Sequence, residues 1–507
     1  MTARRLTTST RLFPTLVVCV IGALLGATPA LGALTFAPAV NYPTGASPTT
    51  VIGADLNADG NVDLITPNNV GNSVSVLLGT AVGTFGAAVN TTVGAGPYSA
   101  AAGDVNGDGK VDLVSVNFTA STISVLIGTG LGTFGAATNT STGAGSTPTN
   151  LTLADVNGDG KLDVITANYG QAKVGVMLGT GSGGFGAPTT TTVPAGPFAV
   201  AAADVNADGK QDVVVDSYTA GNVSVLIGNG LGAFAAPVTY AAGTSPADIT
   251  TGDLNLDGKP DLIVANYGGS NASVLLNTGT GTFAAAVNYA AQAGPDSVSV
   301  GDVNGDTIPD VAVANSTPGT ISLLVGNGNG TLQAAQNVTV GSQPGGVVIA
   351  DFNHDVAVDF VAANYGASNL SVLLGTTPIL SLTAPSAFSF PAISVGASSA
   401  ATLRPVVVRS NIPNGYQLSV SRSVFTNGDI PLKISAPTPT IPTQLLDLAA
   451  GVPTLVPTVG SLNIGHRTAT TTLTAGDTWN TSFILGPVPW VRSGSHAATI
   501  TFTVVGL

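Results

Sequence analysis

Short apolar or alternating runs, separated by turns rich in glycine, asparagine, aspartate and threonine, fill the chain from about residue 34 to residue 375. In one stretch, Tyr98 to Gly103 reads as a strand and Asp112 to Val116 as the next. Thr122 to Ile127 alternates as a third, and Gly132 to Thr138, after a glycine-rich turn, as a fourth. The nonapeptide between the first two, Asp104-Val-Asn-Gly-Asp-Gly-Lys-Val-Asp112, recurs with changes seven times, starting at Asp55, Asp104, Asp155, Asp204, Asp253, Asp302 and Asp351. The starts lie 49 residues apart except for one interval of 51. A period near 50 suits a propeller blade or a solenoid unit, and four short antiparallel strands per period make a blade.

The ends of the repeat region decide between a ring and a stack. Leu34-Thr-Phe-Ala-Pro-Ala-Val-Asn-Tyr42 matches the fourth-strand segment Gly281-Thr-Phe-Ala-Ala-Ala-Val-Asn-Tyr289, whereas the seventh unit stops after Leu370 to Leu374 without a copy. One strand is surplus at the front and missing at the back. If the front strand completes the last blade, the ring closes without a free sheet edge. From about Pro378 the period is lost. Alternating segments such as Pro405 to Val408, Tyr416 to Ser421 and Ala498 to Val505 predict a C-terminal antiparallel β-sandwich of Ig-like character over 378–507, with one or two helical turns at Gln444 to Ala450. The expected fold is all-β: a seven-bladed β-propeller over 33–376, then the sandwich.

Residues 1–32 read as a signal peptide: Arg4, Arg5 and Arg11 flank or precede the apolar run Leu12 to Ala27, with small residues near Ala30-Leu31-Gly32 for cleavage. The expectation is a secreted, extracellular or cell-surface protein with no membrane span after cleavage. The single cysteine, Cys19, lies in that run, so disulfides would not staple the mature chain. The chain contains no glutamate. Its acids are 27 aspartates, of which 21 lie in the seven nonapeptides. No arginine occurs between Arg11 and Arg404, so no basic patch is available for phosphates and nucleic-acid binding is not expected.

That concentration of acids has a chemistry. Loop positions 1, 3, 5 and 9 carry oxygen donors in every copy: Asp55, Asn57, Asp59 and Asp63; Asp104, Asn106, Asp108 and Asp112; Asp155, Asn157, Asp159 and Asp163; Asp204, Asn206, Asp208 and Asp212; Asp253, Asn255, Asp257 and Asp261; Asp302, Asn304, Asp306 and Asp310; Asp351, Asn353, Asp355 and Asp359. Ca²⁺ takes roughly six to eight oxygens at about 2.3–2.6 Å, and alternate residues of a curled loop can aim at one point. Up to seven Ca²⁺ sites are expected, with position 9 closing each. The first five loops have glycine at position 6 (Gly60, Gly109, Gly160, Gly209, Gly258), but the sixth has Thr307 and the seventh Val356. If position 6 needs positive φ, a β-branched residue is strained there and these two sites should be weaker.

The repeats resemble FG-GAP/VCBS repeats, similar to those of the integrin α-subunit propeller and of many secreted bacterial proteins. Phe85-Gly86, Gly94-Ala-Gly-Pro97 and the loop Asp104 to Asp112 carry the resemblance, which covers about residues 34–375. It implies calcium loops joining the first two strands on one face, with ligands on the opposite face or at the axial mouth. It names no ligand.

Catalytic means are thin, and no enzyme is expected. Asp216, Asp248 and Asp296 lie outside the loops, the last two read as turn residues opposite the metal face, but they belong to different blades. Lys110, Lys161, Lys210 and Lys259 hold loop position 7 and are expected to point to solvent, and His354, at position 4, is taken as incidental. The better binding feature is an aromatic after the second strand: Phe118, Tyr169, Tyr218, Tyr267 and Tyr365. These rings could meet a sugar or a protein partner, or could pack between blades. The expected function is extracellular recognition or adhesion with a protein or glycan ligand. The alternatives are a carbohydrate-binding lectin and a polysaccharide-active lyase or hydrolase.

Overall fold

The structure is a computed structural model of the 507-residue chain. It describes residues 34–355 and 357–376 with their side chains, and beyond them only the backbone of certain strands. Val356, the signal peptide expected at 1–32 and the sandwich expected at 378–507 therefore lie outside the residues described in full. Gln444–Leu446, expected as helical, is strand. Among the described residues no helix is long and apolar enough to cross a membrane.

Ala33–Thr377 forms one compact unit of seven four-stranded antiparallel sheets, the blades of a propeller. In the second blade the inner strand is Pro97–Gly103, followed by Asp112–Asn117, Thr122–Leu126 and the outer strand Thr138–Ser141. Burial explains the composition of each. Every second strand is covered on both faces by neighbouring blades and is buried throughout, as in Asp163–Asn168 and Asp261–Asn266, whereas the outer strands are largely exposed and rich in threonine and asparagine.

The fourth strand begins later than the sequence pattern predicts. Gly132 to Ala137 is a loop in which Phe134 makes a single bridge to Gly128, and ladder pairing starts only at Thr138, opposite Val125. The phenylalanine side chain turns inward against the apolar layer between blades, and this holds the loop off the ladder. The bridge recurs around the ring, with Leu332 in place of phenylalanine in the sixth blade. In the seventh blade the partner of Gly375 is Phe36, from the front of the chain.

The ring closes as the displaced copy predicts. Val40–Pro43 pairs antiparallel with Asn369–Leu373, placing Val40 opposite Val372 and Tyr42 opposite Leu370. The seam has the same chemistry as the other junctions. Tyr42 meets Phe85 edge-on at 5.5 Å, Phe85 meets Phe352 at 5.7 Å, and Leu64, Leu77 and Val361 fill the space between the first and seventh blades.

A polar relay runs through the blades. In the second, Asn117 Nδ2 donates to Ser124 Oγ at 2.8 Å and that hydroxyl donates to Asn139 Oδ1 at 2.6 Å. In the seventh the relay crosses the seam, from Asn364 to Ser371 at 2.8 Å and on to Asn41 at 2.7 Å. The third blade breaks the pattern. Gly175 stands where serine would be, and both amide atoms of buried Asn168 lack a partner.

Two predictions follow from this packing. Removing residues 34–43 should bare Asn369–Leu373 as a sheet edge, so the truncated protein should aggregate or lose cooperative unfolding in size-exclusion and melting experiments. Gly175→Ser should restore the relay to Asn168 and stabilise the chain by about 1 kcal/mol in urea unfolding. The new Cβ would meet only the ends of the Thr166 and Asn168 side chains, and the first blade already holds the same trio as Thr66, Asn68 and Ser75.

Candidate functional site

Two regions gather chemistry: the aspartate loops on one face and the axial mouth on the other. Each loop joins an inner strand to a second strand. In the second blade Asp104 Oδ1 accepts from the N–H groups of Asn106 (3.3 Å), Gly107 (2.7 Å) and Asp108 (3.2 Å), and Oδ2 from Gly109 at 2.8 Å. Asn106 Oδ1 accepts from the Asp108 N–H at 2.8 Å, and Asp108 Oδ1 from the Lys110 N–H at 3.0 Å. Position 9 lies beneath the loop, fully buried in all seven copies. Asp112 Oδ2 accepts from Val105 N–H at 3.0 Å and Oδ1 from Gly128 N–H at 2.7 Å, so one carboxylate ties the loop to the far end of the third strand. Asp63, Asp163, Asp212, Asp261, Asp310 and Asp359 do the same.

Position 6 takes positive φ as expected, from 78° to 84° in the five glycines, and Thr307 is held at 70°. Position 4 is also left-handed, which the pattern of residues did not suggest: Ala58, Ala207, Leu256 and His354 have φ of 59–60° there. His354 is not incidental. Its Nε2 lies 3.1 Å from Asn61 Oδ1, joining the seventh loop to the first across the seam. The position-7 lysines are solvent-exposed as expected, and each also puts Nζ 3.0–3.4 Å from its position-5 carboxylate.

The donor set of each loop, three carboxylates and one amide, suits a hard cation. As arranged, no three acidic side chains among the described residues converge closely enough to hold one. Position 5 faces a lysine in four of the loops, and position 9 points each oxygen at a backbone N–H. Burial pushes the position-9 carboxyls up, to about 7 in Asp310 and Asp359, and repulsion from positions 5 and 1 adds to it. A cation in the loop would offset that repulsion.

At the opposite end, the inner strands surround an axial cavity of about 630 Å³. Six of the seven, all but that of the first blade, begin at a proline followed by an irregularity. Pro295 pairs with Asn315 and Ser297 with Ala314, leaving Asp296 without a partner across the ladder. Tyr98 stands likewise between Pro97 and Ser99. Such bulges re-aim a side chain, and both residues line the cavity.

Four of the five turn aromatics join ring contacts that run within and between blades beside this cavity. Tyr98 lies edge-on to Phe198 at 5.7 Å and beside Phe118 at 6.2 Å. Phe198 contacts Tyr169 at 6.4 Å and Tyr218 at 5.7 Å, and Tyr218 reaches Tyr267 at 6.3 Å. None of the five turn aromatics belongs to an apolar cluster between blades. Tyr267 and Tyr365 line the cavity and remain 40% and 38% exposed. Sequence reasoning missed Tyr98 and Phe198, whose signal was their place one residue after the strand-opening proline.

It also set Asp216, Asp248 and Asp296 apart because their blades differ. The radial arrangement brings them together, and Asp248 and Asp296 lie on inner strands rather than in turns. Asp248 Oδ2 accepts from Val298 N–H at 2.9 Å, across the blade junction. Asp216 Oδ1 accepts from Phe198 (3.2 Å) and Ala199 (2.7 Å) N–H groups, while its fully buried Oδ2 has no partner. Burial pushes Asp248 up to about 6 and, with repulsion from Asp248, Asp296 up to about 7. Asp216 is raised well above the carboxylate range, chiefly by burial.

With this geometry in view, six overlapping matches to the FG-GAP-like repeat family, at residues 55–115, 104–166, 155–215, 216–264, 253–313 and 302–362, mean that the chain belongs to that family. No curated protein matches it. Among solved structures it is similar to an Agrocybe aegerita lectin that recognises non-reducing terminal N-acetylglucosamine (20% identity, 58% of this chain and 81% of the lectin, TM-score 0.42). It is similar also to virginiamycin B lyase from Staphylococcus aureus (13%, 67% and 99%, 0.47) and to a 6-phosphogluconolactonase-like protein from Bacteroides uniformis (19%, 66% and 98%, 0.47). At these values none transfers a ligand or an activity.

The position-9 clamp generates a prediction that is independent of any metal. In excess chelator, Asp163→Ala should destabilise the chain by about 2–4 kcal/mol, because two buried N–H groups lose a charged acceptor together. Urea midpoints of wild type and variant check it.

Proposed function

We propose that this chain is a secreted, calcium-stabilised recognition or adhesion module that takes an extracellular protein or glycan at its axial mouth and does no chemistry on it. The observation that carries the reading is a cavity of about 630 Å³ lined by Tyr98, Phe198, Tyr267 and Tyr365, the last two partly exposed. Flat rings with a hydroxyl offer apolar area and a hydrogen bond at low entropic cost, which suits a sugar face or a peptide. A glycan-binding role is the lectin form of this reading, and a glycan array separates it from protein adhesion.

Calcium would serve the scaffold. The loops sit on the face opposite the mouth, and positions 1, 3, 5 and 9 of each would supply the oxygens, with the sixth loop disfavoured by Thr307 at positive φ. An ion that binds the folded ring and hardly the unfolded chain stabilises by mass action.

One observation favours a polysaccharide-active enzyme as a second reading: Asp248 and Asp296 share a cavity and lie near 6 and 7, where a carboxyl can give and take a proton. Release of reducing or unsaturated sugar ends from a polysaccharide panel would favour that reading over pure binding.

Two outcomes are expected. Tyr267→Ala with Tyr365→Ala should weaken ligand capture at least tenfold while leaving the melting temperature nearly unchanged, and a large stability loss would reassign the rings to packing. Chelation should lower the melting temperature of the wild type, and Thr307→Gly should gain calcium affinity of about tenfold in a titration, the strain of a β-branched residue at positive φ being about 1–2 kcal/mol.

A further inference from the structure

We infer that the axial mouth binds an organic cation, a primary or quaternary ammonium group, between the Asp248 and Asp296 carboxylates and the tyrosine rings. The inference rests on the reading of the mouth as a ligand site and assigns the chemistry of what enters it.

The first ground is unbalanced charge. Both carboxylates line one cavity, and among the described residues no lysine, arginine or histidine lines it with them. The basic side chains of the loops are committed elsewhere, each position-7 lysine to its own position-5 aspartate. Asp248 is partly satisfied by backbone N–H groups, but among the described residues no donor reaches the Asp296 carboxylate. A desolvated carboxylate with neither donor nor counter-ion is costly, and a second one beside it raises the cost. A ligand that brings a positive charge removes both penalties at once.

The second ground is the wall. Beside the two acids the cavity is lined by the aromatic side chains of Tyr98, Phe198, Tyr267 and Tyr365, together with hydroxyl and amide groups such as Thr50, Ser99 and Asn150. Aromatic faces attract ammonium groups and leave their methyl or methylene groups in apolar contact. Acids and rings interleaved around one cavity form a receptor for a charged nitrogen on an alkyl stem. A cavity of about 630 Å³ lies within the usual range for small-molecule sites. The bulge at Asp296 is the device that turns its carboxylate toward the axis instead of into the ladder.

The test is calorimetric titration of the full chain with choline and with 1,5-diaminopentane, each paired with its uncharged counterpart, 3,3-dimethylbutanol and 1,5-pentanediol. At least one ammonium probe should bind the wild type while its neutral counterpart binds at least tenfold more weakly. Asp296→Asn should lower ammonium affinity by about tenfold or more. Its melting temperature should be unchanged or higher, since the variant removes the repulsion between Asp296 and Asp248. Asp248→Asn serves as a second variant should the first fold poorly. The proposal is overturned if neither ammonium probe binds, if neutral counterparts bind equally well, or if Ca²⁺ displaces the probe competitively from a site that needs Asp296, which would make it an inorganic cation site. Failure here with Tyr267→Ala and Tyr365→Ala still weakening capture of a glycan or protein would sink the cation inference alone. Failure of both would sink the mouth as a ligand site.

Discussion

Each blade has two apolar faces, and each face is covered only by the next blade. This constraint admits no free end. The strand Val40–Pro43 meets it by pairing with Asn369–Leu373, so the first strand of the unit belongs to its last blade. Everything else about the seam copies the other junctions: the Phe36 bridge, the Ser371 to Asn41 relay and the Tyr42, Phe85 and Phe352 contacts. His354 and Asn61 add a link between loops. Because the seam is chemically a junction like the rest, the ring has no designated weak point.

Much of this was legible in the residues, and the reason is periodicity. A motif recurring every 49 or so residues overrides the ambiguity of any single short strand, and a copy displaced to the front states the closure outright. The start of the outer strand was misjudged because Phe134 and its counterparts look like strand residues in sequence, while their side chains are drawn into the layer between blades. The left-handed residue at loop position 4 was hidden because alanine, leucine and histidine occupy it in four loops.

The candidate site was harder for a different reason. Asp248 and Asp296 are separated by a whole repeat, and linear reading counts that as distance. In a ring, residues at matching offsets share a radius, so the positions just after each strand-opening proline all face the axis. Tyr98, Phe198 and Asp296 occupy the same offset in three blades. The propeller thus places its acids in two ways: three per blade in the loops of one face, embedded in backbone hydrogen bonds, and a small remainder toward the axis. The first pattern repeats and is visible; the second appears once and is visible only after the ring has been drawn.

Closure by the front strand also dictates an order of events. Asn41 finds Ser371 across 330 residues of chain, so the earliest-made strand of the unit must wait, unpaired, until the final blade has emerged. Neighbouring blades can stack locally as they appear, but the last step is a single long-range contact of the kind that folds slowly. During synthesis the growing ring is an open arc with an uncovered sheet at each end, and for that interval its solubility depends on the exposed, threonine-rich outer strands and on whatever holds the arc apart from its neighbours.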